Sequence, residues 1–451
     1  MSLENKCIRL ENENTRLKDE NHELKVKLGQ TSNNSSLAPS TDLFVSPKQR
    51  SLRKKSDKSV GGQIGHKGSN LKISTSPDEI IICNVSKCEN CNTDISNTYA
   101  NFSNHQVVDI DLTKVTYTIY KQMKRRCPNC KRKSFGNLPI FARHHSQYGL
   151  RVLGLATYIN QVHYVPVKRT AQIINELCGI KISAGTIVNN SYKISKDIQA
   201  EFVPKVKRIL ANSNLLHVDE TGININGKNH YVHSASNSIA AYHTVYDTRG
   251  DKAVKDINIL PNFSGVLVHD AYSMYFKYGT THQLCVAHLL RELQAVTDYF
   301  KLVNPYDKSK CWAQKLTAIL EKSIHEMKEG KVITNPKDKI LSIVNCLKIN
   351  DPPGKLGKKH LALTNRIARY INDYVRFTQN ISVPATNNFA EREIRMVKVK
   401  MKVSGFCKTV LGARAFTNIR SFVSTLNKHN VSVLESISNI FTGTVWTPKM
   451  A

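Results

Sequence analysis

Apolar residues along this chain change their period several times, and each change marks a new segment. At the start, Leu3, Leu10, Leu17 and Leu24 recur every seven residues among Glu, Lys and Asn. That pattern is a helix with a leucine seam, its companion positions being Cys7, Asn14, Asn21 and Leu28. Asn at such positions favours one register and pairing between copies. Residues 1–28 are therefore expected to form a coiled coil that makes the chain a homo-oligomer, although a solvated helix can carry the same pattern. Over residues 29–79 the periodicity stops. TSNNSSLAPSTD and VGGQIGHKGSN are rich in Ser, Asn and Gly, and residues 48–58 are strongly basic, as in a flexible basic linker.

Helical periods return over residues 141–205. In VPVKRTAQIINELCGIKISAGTIVNN a helix starts near Val167, with Ile173, Ile174 and Leu177 apolar. Gly179 supplies a turn, and Ser183 can cap a second helix through Thr186, Ile187 and Val188. The arrangement fits a helix-turn-helix offered to a DNA groove, with Lys168 and Arg169 as candidate DNA contacts. An ordinary helical hairpin fits equally well.

The pattern then becomes strand-like. Leu215–Asp219 is an apolar run ending in an acid, Tyr231–Ser234 and Ala241–Tyr246 read as two more strands, and Ala253–Leu260 as a helix. Val266–Asp270 is a second apolar strand ending in an acid, followed by a helix from His282 to Tyr299. This order, with Asp219 and Asp270 ending the first and fourth strands, is that of a ribonuclease H-like α/β core. Side by side, the two carboxylates repel unless a divalent cation lies between them. Such a core needs a third acid on a later helix. In NNFAEREIRMVKVKMKVS, Ala390, Ile394, Val397 and Met401 form a core-facing stripe, and Glu391, Arg395, Lys398 and Lys402 a parallel one. Glu391 heads a basic ridge, which with Arg392 suits phosphate contact. Glu393, the rival acid, lies about 160° around the helix.

Composition sharpens this picture. The net charge is +30, with 65 Lys and Arg against 35 Asp and Glu over 451 residues, so an anionic partner is needed, and double-stranded DNA is the usual one. No apolar run is long enough to span a membrane, and no signal-peptide core is evident, so a cytoplasmic, nucleoid-associated protein is expected. The 11 cysteines are odd in number and argue against a disulfide framework. Cys88-Glu-Asn-Cys91 and Cys127-Pro-Asn-Cys130 instead pair as two knuckles across residues 80–140. Two such turns complete a closed tetrahedral site for one structural Zn²⁺. His282, Cys285 and His288 also have metal-like spacing, but on a helix they read as packing and DNA-contact residues, with His288 and Arg291 one turn apart and able to reach DNA.

At these residues the chain resembles the bacterial transposases of the insertion-sequence 66 family. The likeness runs through the N-terminal zipper, GGQIGHKG at 61–68, the double CxxC module, HVDET at 217–221, HDAYSMY at 269–275, CVAHLLREL at 285–293 and TNNFAEREIRMVKVKMKVSG at 386–405. It implies a DDE-type enzyme with Asp219, Asp270 and Glu391 as ligands of two Mg²⁺ (or Mn²⁺) ions. These would serve strand cleavage and then strand transfer at element ends. It also implies a catalytic core over 206–300 and 375–430, interrupted by a helical insertion at 301–374, with 431–451 as a C-terminal tail. Accessory proteins encoded by the same element are a further class of partner. Two other readings compete: a ribonuclease H-like nuclease that cuts without joining, and a non-catalytic DNA-binding regulator.

Overall fold

The computed structural model describes residues 148–279, 281–303, 311–331, 334–347, 355–405 and 407–449, with short stretches and single positions before residue 136. The chain forms two units, residues 1–48 with 117–451, and residues 49–116. In the smaller unit the described residues are few; Asp94 accepts a hydrogen bond from the Ser96 backbone N–H at 2.8 Å, and Cys91 lies in an exposed turn. Cys88, Cys127 and Cys130, the whole linker of residues 29–79 and most of the N-terminal seam lie outside the described residues. Of that seam, Cys7, Leu10 and Leu17 are helical and exposed.

In the larger unit, β1 (Lys124–Arg126) and β2 (Lys133–Phe135) pair antiparallel and bracket residues 127–130. The helical region follows: α1 (Leu150–Thr157), α2 (Val167–Cys178), α3 (Ala184–Glu201) and α4 (Val203–Ala211). Gly179 ends α2 in the left-handed conformation (φ +66°), and the Ser183 hydroxyl caps α3 by accepting from Thr186 N–H at 3.0 Å. Leu177, expected on the apolar face of α2, points outward, whereas Ile174 is buried. The second helix is longer than the motif suggests. Its Ile194 and Ile198 join Phe202, Val206 and Leu210 in the core beneath the sheet, so α3 is built into that core.

The central sheet has β3 (Leu215–Ile225), β4 (Lys228–Ser236), β5 (Ala241–Tyr246), β6 (Val266–His269) and β7 (Thr281–Leu284), in the order β5-β4-β3-β6-β7. The first three are antiparallel; β6 and β7 run parallel to β3. Asn226 and Gly227 both take positive φ (47° and 81°), the two-residue turn that suits the twist of a hairpin, here β3–β4. α5 (Asp251–Ile257) crosses between β5 and β6. This mixed five-stranded sheet with flanking helices fits a ribonuclease H-like core.

Two expectations change here. Asp219 lies in mid-strand, because the hairpin carries β3 on to Ile225. And residues 282–284, read as the start of a helix, belong to the fifth strand, Thr281–Leu284; the helix begins at Val286. The strand is short, and partners distant in the chain help to satisfy its polar groups. Gln283, fully buried, accepts from Phe377 N–H at 2.9 Å, and Arg376 donates to the His282 carbonyl at 2.6 Å. Those contacts also cover the β7 edge.

Beyond β7, α6 (Val286–Val303), α7 (Trp312–Lys328), α8 (Lys337–Leu347), α9 (Lys355–Arg369) and α10 (Ile371–Tyr374) follow. Leu289, Leu293, Leu316, Leu320, Ile340, Val344 and Ile367 give this region its own core. α11 (Asn388–Ser404) returns along β3 and β4, and α12 (Val410–Lys428) lies along β5. The N–H groups of Ala241 and His243 donate to the Thr425 and Ser421 hydroxyls (3.1 and 2.8 Å). An i, i+4 pair of hydroxyls thus satisfies an edge strand that would otherwise invite pairing. Residues 431–451, expected as a tail, include α13 (Val433–Ile440), whose Ile437 and Ile440 are buried in the main core. Among the described residues no helix is long and apolar enough to cross a membrane.

Candidate active site

The last parallel pair between β3 and β6 is His217 with Val268. Asp219 and Asp270 each follow by two residues, so the register sets them opposite one another at the carboxyl edge of the two strands. Both are held in place by the backbone: Asp219 accepts from Glu220 N–H at 2.8 Å, and Asp270 from Tyr272 N–H at 3.1 Å. Among the described residues neither makes an ion pair. Burial raises the Asp219 carboxyl well above the usual range, and the nearby Glu220, Asp270 and Glu391 push it further. Burial and Glu220 raise Asp270 as well. The pair is short of positive charge, a deficit that a divalent cation would remove.

Glu391 reaches the same place from α11. Its carboxylate accepts from Arg291 at 3.2 Å and lies 3.5 Å from His288 Nδ1, both residues belonging to α6. Burial, then the Arg291 charge, lowers the His288 pKa, so its imidazole is neutral near pH 7. Three carboxylates can share two divalent ions about 3.5–4 Å apart. The donor set, all carboxylate oxygen, is that of Mg²⁺ or Mn²⁺.

Asn387, just ahead of α11, fastens that helix to the sheet. It is almost fully buried. Its side chain accepts from His217 Nδ1 at 3.0 Å and donates to the Val218 carbonyl at 2.8 Å; its N–H donates to Cys285 Sγ at 3.2 Å. Burial lowers the His217 pKa to about 4, so the ring is neutral and holds Nδ1–H for this bond. Asn387 O in turn accepts from Glu391 N–H at 3.1 Å. One residue thus ties the Glu-bearing turn to the Asp219 strand and to the start of α6.

Glu220, beside Asp219 on β3, is a fourth acid that the sequence reading passed over. Its carboxylate accepts from Tyr275 and from Arg249, the latter at 2.5 Å, and Arg249 stacks over the Tyr272 ring at 4.0 Å. Although it alternates with Asp219 along β3, its charge raises both Asp219 and Asp270, so it adds to the same surplus of negative charge. Asn387 carried no signal in the sequence.

Glu393 is held elsewhere. It accepts from the Ser424 hydroxyl at 2.6 Å and pairs with Lys428 at 3.2 Å and Arg420 at 3.7 Å, all on α12. Burial alone would raise its carboxyl, but His243, Lys428 and Ser424 hold it well below the usual range.

The candidate DNA contacts divide. Lys168, Arg169, Arg392, Arg395 and Lys402 are exposed. Lys398 is partly buried and donates to the Gly222 carbonyl at 3.0 Å. Arg291 and His288 are turned onto Glu391. His282 faces inward, its Nδ1 3.1 Å from His269 Nε2.

A family model described as Transposase IS66 family matches residues 145–415, more than half of the chain. A second model, of a family of unknown function (DUF6444), matches residues 1–72. Comparison with curated proteins gives no match.

Proposed function

The chain belongs to the IS66 transposase family, and from that premise we propose that it cuts the ends of its own insertion sequence and joins them to target DNA, using Asp219, Asp270 and Glu391. Family membership implies DNA transposition by phosphoryl transfer with a divalent metal. The observation that carries the finer reading is the meeting of three carboxylates from β3, the end of β6 and α11, two of them with no ion pair among the described residues.

In the first step a water oxygen attacks phosphorus, the bond to the 3′ oxygen breaks, and the strand ends in a free 3′-OH. In the second step that 3′-OH attacks a target phosphodiester and its 5′-side bond partner leaves as another 3′-OH. Two divalent ions, when bound, supply Lewis-acid stabilisation of the attacking and leaving oxygens. Asp219 and Asp270 would hold them from the sheet and Glu391 from the helix. Arg291 keeps Glu391 aimed at the sheet edge, and Asn387 keeps its helical turn seated. Arg392, Arg395 and Lys402, with Lys168 and Arg169 on α2, offer exposed cations to phosphates. In this reading Cys88, Cys91, Cys127 and Cys130 hold one structural zinc, and the Leu3–Leu24 seam joins copies of the chain. A nuclease that never joins would use the same three acids; inverted repeats and a short target duplication flanking the gene distinguish a transposase from it.

Asp219→Asn is the informative test. End cleavage with Mg²⁺ or Mn²⁺ should be lost while DNA binding persists. A folded-state pKa raised by burial and like charge costs stability once pH rises through it, so the metal-free variant should melt higher than the parent at neutral pH. Full cleavage by Asp219→Asn would remove this assignment.

A further inference from the structure

The spacing of His282, Cys285 and His288 hints at a metal in the sequence, but the fold breaks that set. His282 lies on β7 and pairs with His269. In its place the fold brings Glu391. Cys285, the residue before α6, and His288, one turn into that helix, face the first turn of α11. Among the described residues, Cys285, His288 and Glu391 form the group whose donor atoms all lie within 4.8 Å of one another. Their convergence is built: Val286 N–H donates to the Ala385 carbonyl at 2.9 Å, and Asn387 N–H donates to Cys285 Sγ at 3.2 Å. Cys285 is buried at the base, while His288 and Glu391 are partly open at the mouth. His288 Nδ1 is itself buried and makes no hydrogen bond.

We propose that Cys285, His288 and Glu391 form a second metal site, for a soft divalent cation of the zinc class, which shares Glu391 with the three-acid cluster and silences it when filled. Sulfur, imidazole nitrogen and carboxylate oxygen are the donor set of zinc, whereas Mg²⁺ takes oxygen alone. Zinc bonds of about 2.0–2.3 Å need donors roughly 3.3–3.8 Å apart, so from separations within 4.8 Å the group must contract by about 1.5 Å at most, within reach of side-chain rotation. As the Zn–S bond forms, the Cys285 proton leaves to solvent. The thiolate and the carboxylate then bring two negative charges against one positive charge from Arg291, a balance that favours a divalent ion. The fourth position is left to water. The site stands on its own geometry; the silencing rests on the proposed role of Glu391 in cleavage.

The test uses the full chain, stripped of metal under reducing conditions. Cys285→Ser keeps a hydrogen-bond acceptor for Asn387 N–H and removes only the soft donor. Zn²⁺ titration should give about one more tight equivalent for the parent than for Cys285→Ser, so the CxxC cysteines cancel in the difference. Co²⁺ should give a thiolate-to-metal charge-transfer band that is correspondingly stronger in the parent. Far-ultraviolet circular dichroism and melting establish that both proteins are folded. In end cleavage with Mg²⁺, added Zn²⁺ should inhibit the parent at concentrations roughly ten-fold or more below those needed for Cys285→Ser. Equal stoichiometry and equal Co²⁺ spectra in two folded proteins would overturn the site. A binding difference with equal inhibition would overturn the silencing. If neither protein cleaves DNA, the binding difference still decides the site, and it is the three-acid assignment that fails.

Discussion

Glu391 and Glu393 stand two residues apart on α11 and occupy opposite kinds of pocket. Glu393 faces α12, where Lys428, Arg420 and Ser424 surround it, and His243 packs beside it. Its charge is fully answered by the protein. Glu391 faces α6 and the ends of β3 and β6, where Arg291 is its close cation among the described residues and Asp219 and Asp270 add negative charge. The difference teaches how to separate a structural acid from a functional one. A carboxylate whose field is closed internally holds elements together, whereas one in a cluster with surplus negative charge is waiting for an external cation.

The largest expected effect sharpens that contrast. Glu391→Ala should lower end cleavage by roughly three orders of magnitude or more, since ligand loss removes several kcal/mol of transition-state stabilisation. Its DNA affinity should be little changed. A Glu391→Ala protein that cleaves normally, beside an inactive but folded Glu393→Ala, would reverse the assignment of the two acids.

Next in size is the structural effect. Glu393→Gln leaves Lys428 and Arg420 with an uncompensated charge in a mostly buried pocket, and should cost about 3 kcal/mol in urea unfolding. The pH dependence has a definite sign. Because the folded carboxyl lies below its ordinary range, its contribution is complete above about pH 4.5 and is lost as pH falls through the lower, folded value. The parent should therefore lose stability along that acid limb, and Glu393→Gln should show a flatter one. Identical limbs would mean that α12 does not hold this carboxylate.

Asn387→Ala is expected to show a smaller share of both kinds of effect. It removes two buried side-chain hydrogen bonds, worth about 1–3 kcal/mol of stability together. Through the shifted Glu391 turn it should also reduce turnover by about 10–100-fold, the size typical of groups that orient metal ligands. A positioning role predicts that higher Mg²⁺ concentration restores part of the activity. Loss of stability with unchanged Mg²⁺ dependence would leave Asn387 as packing only.

The smallest effect concerns the basic ridge. Arg395→Ala with Lys402→Ala should flatten the plot of log affinity against log salt by about two units or slightly less. Lys398→Ala should change it by less than either, because its Nζ is already committed to the Gly222 carbonyl. An equal contribution from Lys398 would show that this bond opens when DNA binds.

Local patterns carried much of this molecule. The turn at Gly179 and the Ser183 cap were readable because φ > 0 and N-cap chemistry each select few residue types. The runs ending at Asp219 and Asp270 were readable because a buried parallel strand needs a continuous apolar stretch. The side of α11 that carries Glu391 followed from helical period alone. What only the tertiary structure decided was everything that joined residues far apart in the chain. Thr281–Leu284 became a strand because β6, Phe377 and Arg376 satisfied its backbone and Gln283, and no local pattern could announce those partners. Val433–Ile440 docked because the main core left room for Ile437 and Ile440. Asn387 acquired its role from Cys285, His217 and Val218, which lie more than a hundred residues before it. Periodicity and special backbone angles are properties of neighbours in sequence, whereas a buried polar group or an unpaired charge is defined by what the completed fold sets against it.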